Sequence, residues 1–271
     1  MMLQNKNAII YGAGGSIGGA IARAFAFAGA RVFLAGRSLE PLQKVANDIR
    51  ASGGRAEVDQ VDALDEKAVN DHIAKVTQQA DTIDISFNVI GLEVVQNMPL
   101  VEMTVDDFTR PVNIAMRGHF LTATAAGKVM MKQGSGVILT LTATPGGIGY
   151  PLTAGFAPAC AAMESLSRNL AAELGIYGVR VVNIRSGGSP DSKVFKEAIE
   201  NHPDVMATVL SLMEQDTMLK KLPLMADIAN LALFLASDMA GKITGVTVDS
   251  TCGTTAGLNY RADIKDIGIG N

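Results

Sequence analysis

The chain has 271 residues, 48% of them hydrophobic and 18% charged, which is enough apolar material for one large core and excludes a disordered chain. A net charge of −4 and a pI near 5.4 provide no field that would attract nucleic acid or an anionic membrane surface. The two cysteines, Cys160 and Cys252, have no spacing that suggests a disulfide framework or a zinc site, so no metal is expected.

The start, Met1-Met2-Leu3-Gln4-Asn5-Lys6, leads directly into a strand without the apolar region of a signal peptide. Arg23 and Arg31 interrupt the most apolar early stretch, so no membrane span is expected and a reducing cytoplasm is the default location. Short apolar runs then alternate with longer segments of helical period, the pattern of a parallel sheet covered on both faces. A strand over residues 7–11 precedes a helix over 17–28, and a second strand spans 31–35. Ser38 is placed to cap the next helix, with Pro41 in its first turn and Gly53-Gly54 at its end. A strand over 57–61, a helix over 66–78 and a strand over 83–87 follow. A long helix covers about 106–132, then come a strand over 136–141, a helix over about 153–174 and a strand over 179–184. Residues 190–222 break the alternation with a Met- and Leu-rich stretch, including Met206, Leu210, Met213, Met218 and Leu219, suited either to covering an apolar substrate or to packing as an amphipathic helix. A helix over 226–235 and a strand over 246–248 close a single domain, with bounds set at 1–257 and a tail over 258–271.

The first strand is followed by Gly12-Ala13-Gly14-Gly15-Ser16-Ile17-Gly18, which opens straight into a helix. Such a turn brings backbone N–H groups close to a pyrophosphate, and the helix dipole favours its charge. A glycine turn also serves any tight strand–helix connection; its place after the first strand of an alternating pattern favours the nucleotide role.

This loop resembles the G-x-x-x-G-x-G of the short-chain dehydrogenase/reductase family, with Ser16 where the middle glycine is usual. Asn88 and Gly91 resemble parts of the family's N-N-A-G segment, Asn113 matches the asparagine of its long fourth helix, and the last two strands are similar as well. The resemblance spans about 5–257 and implies a single doubly wound, Rossmann-type α/β sheet with a small lid at about 190–222. It implies cofactor contacts from Gly12, Gly14, Gly15, Ser16, Ile17 and Gly18 at the phosphates, Asp62 at the adenine edge, and Asn88, Gly91 and Gly187 further along. After the second strand stands Ala35-Gly36-Arg37-Ser38, with no carboxylate to repel a 2′-phosphate and an arginine able to pair with one, so NADP(H) is expected over NAD(H).

The resemblance also implies a proton-transfer group of serine, tyrosine, lysine and asparagine. Those positions fall on Ala143, Phe156, Cys160 and Asn113, so three of the four lack the group they need. A positioned proton donor is typically worth ~10²–10⁴-fold in rate. Thr142 and Thr144 flank Ala143 and are the candidate substitutes, although neighbours on a strand point to opposite faces. Cys160 is read as a small apolar filler in preference to a catalytic thiol. Arg185, near the expected reaction centre, is read as a strand-end arginine reaching solvent, or else as a group that orients an anion. Tyr150 suits either a substrate pocket or a structural role. His72 is expected to be exposed, His119 to pack in the core or at a subunit contact, and His202 to sit in the lid.

Three functions stay open: an atypical NADP(H)-dependent oxidoreductase of a small carbonyl or hydroxyl compound, a nucleotide-binding protein or sensor without catalysis, and a non-redox enzyme for elimination, isomerisation or cyclisation. By resemblance the chain forms a homotetramer, with a dimer as the alternative. Alanine-rich faces at Ala123, Ala125, Ala126, Ala161, Ala162 and Ala171 suit helix contacts between subunits.

Overall fold

The computed structural model describes residues 1–256, so Gly257 and the tail over 258–271 lie outside the described residues. Its core is a sheet of seven parallel strands: β1 (Asn7–Tyr11), β2 (Arg31–Gly36), β3 (Arg55–Gln60), β4 (Ile85–Asn88), β5 (Gly136–Ala143), β6 (Val179–Ser186) and β7 (Thr247–Ser250). Their order across the sheet is β3-β2-β1-β4-β5-β6-β7. The order reverses between β1 and β4, and a ligand crevice opens at such a switch point, outside the carboxyl ends of the strands.

Strand alternation sends side chains to two cores. Ile10, Leu34, Phe87, Leu139 and Ile184 face α1 (Ser16–Phe27), α2 (Leu39–Ala51) and α8 (Met225–Ala236). Ile9, Phe33, Ile138 and Val181 face α3 (Glu66–Ala80), α4 (Val105–Gln133) and α5 (Phe156–Leu174). Ala123, Ala125, Ala126 and Ala171 belong to this second core, each with at most 7% of its surface exposed. Their small side chains thus let α4 and α5 approach the sheet of their own subunit, and among the alanines read as an intersubunit face only Ala161 is exposed, with Ala162 half-buried.

The start of α5 and the fold of the 190–222 stretch depart from the sequence reading for local reasons. Helix α5 begins at Phe156, not near 153, because Leu152 and Ala154 adopt positive φ angles of 60° and 54° and interrupt helical geometry. Gly155 then presses on α4: a Cβ there would lie 1.9 Å from the Phe108 carbonyl oxygen. The 190–222 stretch folds as α6 (Lys193–Asn201) and α7 (Pro203–Gln215), neither containing a fully buried residue. Met213 and Phe195 pack over Gly188 at the end of β6. Among the described residues no helix is long and apolar enough to cross a membrane.

Candidate functional site

The loop after β1 is tight because its backbone stacks on itself and on β4. Gly12 has φ +82°, and a Cβ there would sit 2.7 Å from the Val89 carbonyl oxygen. At Gly18 a Cβ would sit 2.4 Å from the Gly12 carbonyl oxygen. These contacts leave a cleft of about 280 Å³ at the switch point, into which Gly12, Gly14, Gly15 and Gly91 face, together with Arg37, Ser38 and Asp62.

The other expected cofactor residues lie outside this lining. Ile17 and Gly18 form the first turns of α1 behind the loop. Ser16 uses its hydroxyl to accept the Lys193 N–H at 3.0 Å, tying α1 to the start of α6. Asn88 turns away from the cleft: its amide donates to Gly118 O at 3.1 Å and Thr122 Oγ1 at 2.9 Å, while its Oδ1 accepts the Ile90 N–H. It therefore positions the cleft wall rather than lining it. Gly187 packs against Pro223 and donates to Ser250 O, beside β7. Ser38 stands at the N-cap of α2 but makes no capping hydrogen bond, so its exposed hydroxyl remains at the cleft.

At the far rim the structure adds a residue that motif reading missed. Glu93, from the loop after β4, brings its carboxylate 3.5 Å from Arg37 Nη1 and lines the same cleft. The end of β2 itself lacks an acid, but the folded site does not. The partners are 56 residues apart, and no local motif signals their meeting.

Ala143, Phe156 and Cys160 do come together, in a small apolar cluster with Leu92, Ala115, Ala159 and Met163. Asn113 is not part of it. That residue is exposed on α4, whereas Ala115, two positions on and fully buried, faces the cluster. A step of two residues is about 200° around a helix, so only one of the pair can point there. The helical period was the signal available for this distinction.

Neither threonine supplies a free hydroxyl. Thr142 donates to Glu164 Oε1 at 3.0 Å and accepts from Asn183 Nδ2 at 2.8 Å, and Thr144 donates to Ser186 O at 3.3 Å. Both are buried. Cys160 is fully buried, and burial pushes its thiol up to about 11, so no thiolate is present near neutral pH.

Arg185 is not a solvent-reaching strand end. It grips Glu164 through Nε–Oε1 at 3.0 Å and Nη2–Oε2 at 2.6 Å, and meets Asp249 at 2.9 Å. Asp191, in the loop after β6, accepts the Met225 N–H at 3.0 Å and so holds the start of α8. The Tyr150 phenol is raised by partial burial first and by the Asp216 carboxylate second.

His72 departs from its sequence reading, while His119 follows its own. His72 is buried, with Nδ1 3.2 Å from the Tyr11 hydroxyl and Nε2 3.5 Å from Asp59 Oδ2. The adjacent His72 ring, reinforced by Lys75, draws the Asp59 carboxyl down to about 2 against the opposing effect of its burial. Burial drives the His119 imidazole down to about 4, and its Nδ1 donates to Ala115 O at 3.0 Å. His119 is thus a neutral core residue of α4.

Comparison with known proteins places this geometry among relatives. The family model described as "Enoyl-(Acyl carrier protein) reductase" matches residues 12–255. A 2,3-dihydro-2,3-dihydroxybenzoate dehydrogenase of Bacillus subtilis is 30% identical over 94% of this chain and 98% of its own. The levodione reductase of Leifsonia aquatica is 31% identical over 92% of this chain and 93% of its own. Among solved structures, a levodione reductase superposes with a TM-score of 0.87 at 27% identity, covering 94% of this chain and 100% of that one. An NAD⁺-bound xylitol dehydrogenase gives 0.87 at 25% identity, covering 93% and 100%.

Proposed function

The chain belongs to the short-chain dehydrogenase/reductase family, and we propose that it is an atypical NADP(H)-dependent oxidoreductase of a small carbonyl or hydroxyl compound. The observation that carries this reading is the switch-point cleft, with a backbone cradle at one end and the Arg37 guanidinium at the other. The cradle suits a dinucleotide because a Cβ at Gly12 or Gly18 would collide with main-chain atoms, and the N-terminus of α1 opens beside it. Arg37 offers paired donors for a 2′-phosphate, and Asp62, in the lining of the same cleft, would meet the adenine edge. Relatives named for a dihydroxybenzoate derivative, levodione and xylitol support a small polar substrate.

When bound, a nicotinamide supplies or accepts hydride. The residues at the reacting end do something other than proton transfer. Ala115, Ala143 and Phe156 offer no ionisable group to a carbonyl oxygen, and Cys160, its thiol raised by burial, is a poor proton donor. The proton therefore comes from water or from a group on the substrate. Thr142 and Glu164 are occupied with Asn183 and Arg185 and hold β5, β6 and α5 in register. Lid helices α6 and α7 cover the end of β6, where a substrate would enter. By family likeness the working form is a homotetramer, or else a dimer.

Titration with NADPH and NADH, read by nicotinamide fluorescence, tests the cofactor assignment, and a chain without tryptophan gives little background. Tighter binding of NADPH is expected; preference for NADH would overturn the choice, and binding of neither would overturn the site. Stereospecific transfer of deuterium from labelled NADPH to product tests the redox reading. The apolar cluster favours one second reading, a nucleotide-binding protein without turnover. Tight binding with no transfer over a broad carbonyl panel would select it.

A further inference from the structure

We infer that Glu93 is a specificity-determining residue, the counter-ion that a 2′-phosphate must displace from Arg37, so that the pair sets how the cleft discriminates phosphorylated from unphosphorylated dinucleotides. The inference rests on the cofactor reading above. Arg37 rises from the end of β2 and Glu93 from the loop after β4, on opposite rims of the cleft, and their side chains meet at 3.5 Å. Both side chains are more than half exposed, so the contact is screened and weak enough to exchange.

The geometry around the pair is directed. Gln60 Nε2 donates to the Arg37 carbonyl at 2.9 Å and fixes the backbone that carries the guanidinium. Glu93 has φ 52°, left-handed backbone uncommon for a residue with a Cβ, which aims the loop across the cleft. The other carboxylate in the lining, Asp62, uses Oδ1 to accept the Leu64 N–H at 2.9 Å within its own turn. Glu93 is accordingly the carboxylate that competes for Arg37.

Each partner suits one ligand. A 2′-phosphate carries roughly −1.5 to −2 charges near neutral pH and offers three strong acceptors, so it displaces a monoanionic carboxylate from the guanidinium. An unphosphorylated ribose has hydroxyls that donate to a carboxylate and, as neutral acceptors, gain much less from an arginine than a phosphate does. Glu93 therefore lowers affinity for the phosphorylated ligand and preserves some for the other.

The test compares dissociation constants of NADPH, NADH and 2′,5′-ADP for the full-length protein and for Glu93→Gln, Arg37→Gln and the double variant. Glu93→Gln is expected to raise the preference for NADPH over NADH about 2- to 5-fold at low salt, the range of an exposed ion pair. The gain shrinks as salt is added. 2′,5′-ADP should tighten with NADPH, because the effect lies at the adenosine end. In the Arg37→Gln background most of the gain should vanish. Equal changes in both dinucleotides, no change, or an undiminished gain without Arg37 would overturn the inference while leaving the cofactor site intact. A wild-type protein that binds none of the three ligands would instead overturn the site itself.

Discussion

Replacing Arg185 with leucine should destabilise the protein strongly while leaving its packing volume nearly filled. The Arg185 side chain is 14% exposed and that of Glu164 6% exposed, and they are joined by two parallel hydrogen bonds. Removing the cation strands Glu164 in a nearly dry site where only the Thr142 hydroxyl still donates to it. Breaking a buried pair from one side typically costs about 3–5 kcal/mol. For a chain of this size that corresponds to a Tm lower by roughly 6–20 °C. Glu164→Gln should cost less, about 1–2 kcal/mol, because Arg185 keeps Asp249 and the amide oxygen still accepts. The decisive variant is Arg185→Leu/Glu164→Leu. With both charges gone, no ion is stranded, and the double variant should be more stable than Arg185→Leu alone. Thermal and urea unfolding of the wild type, Arg185→Leu, Glu164→Leu and the double variant, followed by circular dichroism, give the four corners of the cycle. A cost below about 1 kcal/mol for Arg185→Leu, or a double variant as unstable as the sum of its parts, would refute the argument.

Three further outcomes follow from other parts of the molecule. The neutral state of His119 means the unfolded chain binds the extra proton first, so stability should hold above about pH 6.5 and decline as the pH falls towards 4, by up to about 3 kcal/mol. Urea midpoints at pH 7.5 and 5 check this, and His119→Leu should flatten the slope. Gly18→Ala places a Cβ 2.4 Å from the Gly12 carbonyl oxygen and must displace the loop, costing about 1–3 kcal/mol. Its NADPH affinity should fall by about 10-fold or more, on the order of 1.4 kcal/mol, and an unchanged dissociation constant would contradict the cradle. Cys160, fully buried with a raised thiol, should resist iodoacetamide in the native protein while the half-exposed Cys252 reacts slowly. Peptide mass spectrometry reads both sites, and rapid native labelling of Cys160 would show the cluster to be open.

The order of strands and helices was legible in the chain because strand alternation and helical period are local properties, and the parallel sheet follows from their alternation. The glycine loop was legible for the same reason: adjacent glycines mark a tight turn wherever they fall. That Ala143, Phe156 and Cys160 would lie near one another was readable too, but their environment was not. Chain separation explains most of what stayed hidden. His72 is buried where it meets Tyr11, 61 residues away, on the face of the sheet that α3 covers. Arg185, on β6, is held inside by Glu164 on α5, and Arg37 meets a carboxylate from another crossover. The exchange of Asn113 for Ala115 turned on the rotation of a single helix, which its packing against α5 decides. By itself the sequence determined the frame and the backbone cradle, since both arise from neighbours along the chain. Only the tertiary structure decided which charges meet and which polar groups stay free, because those depend on distances between residues that the chain keeps far apart.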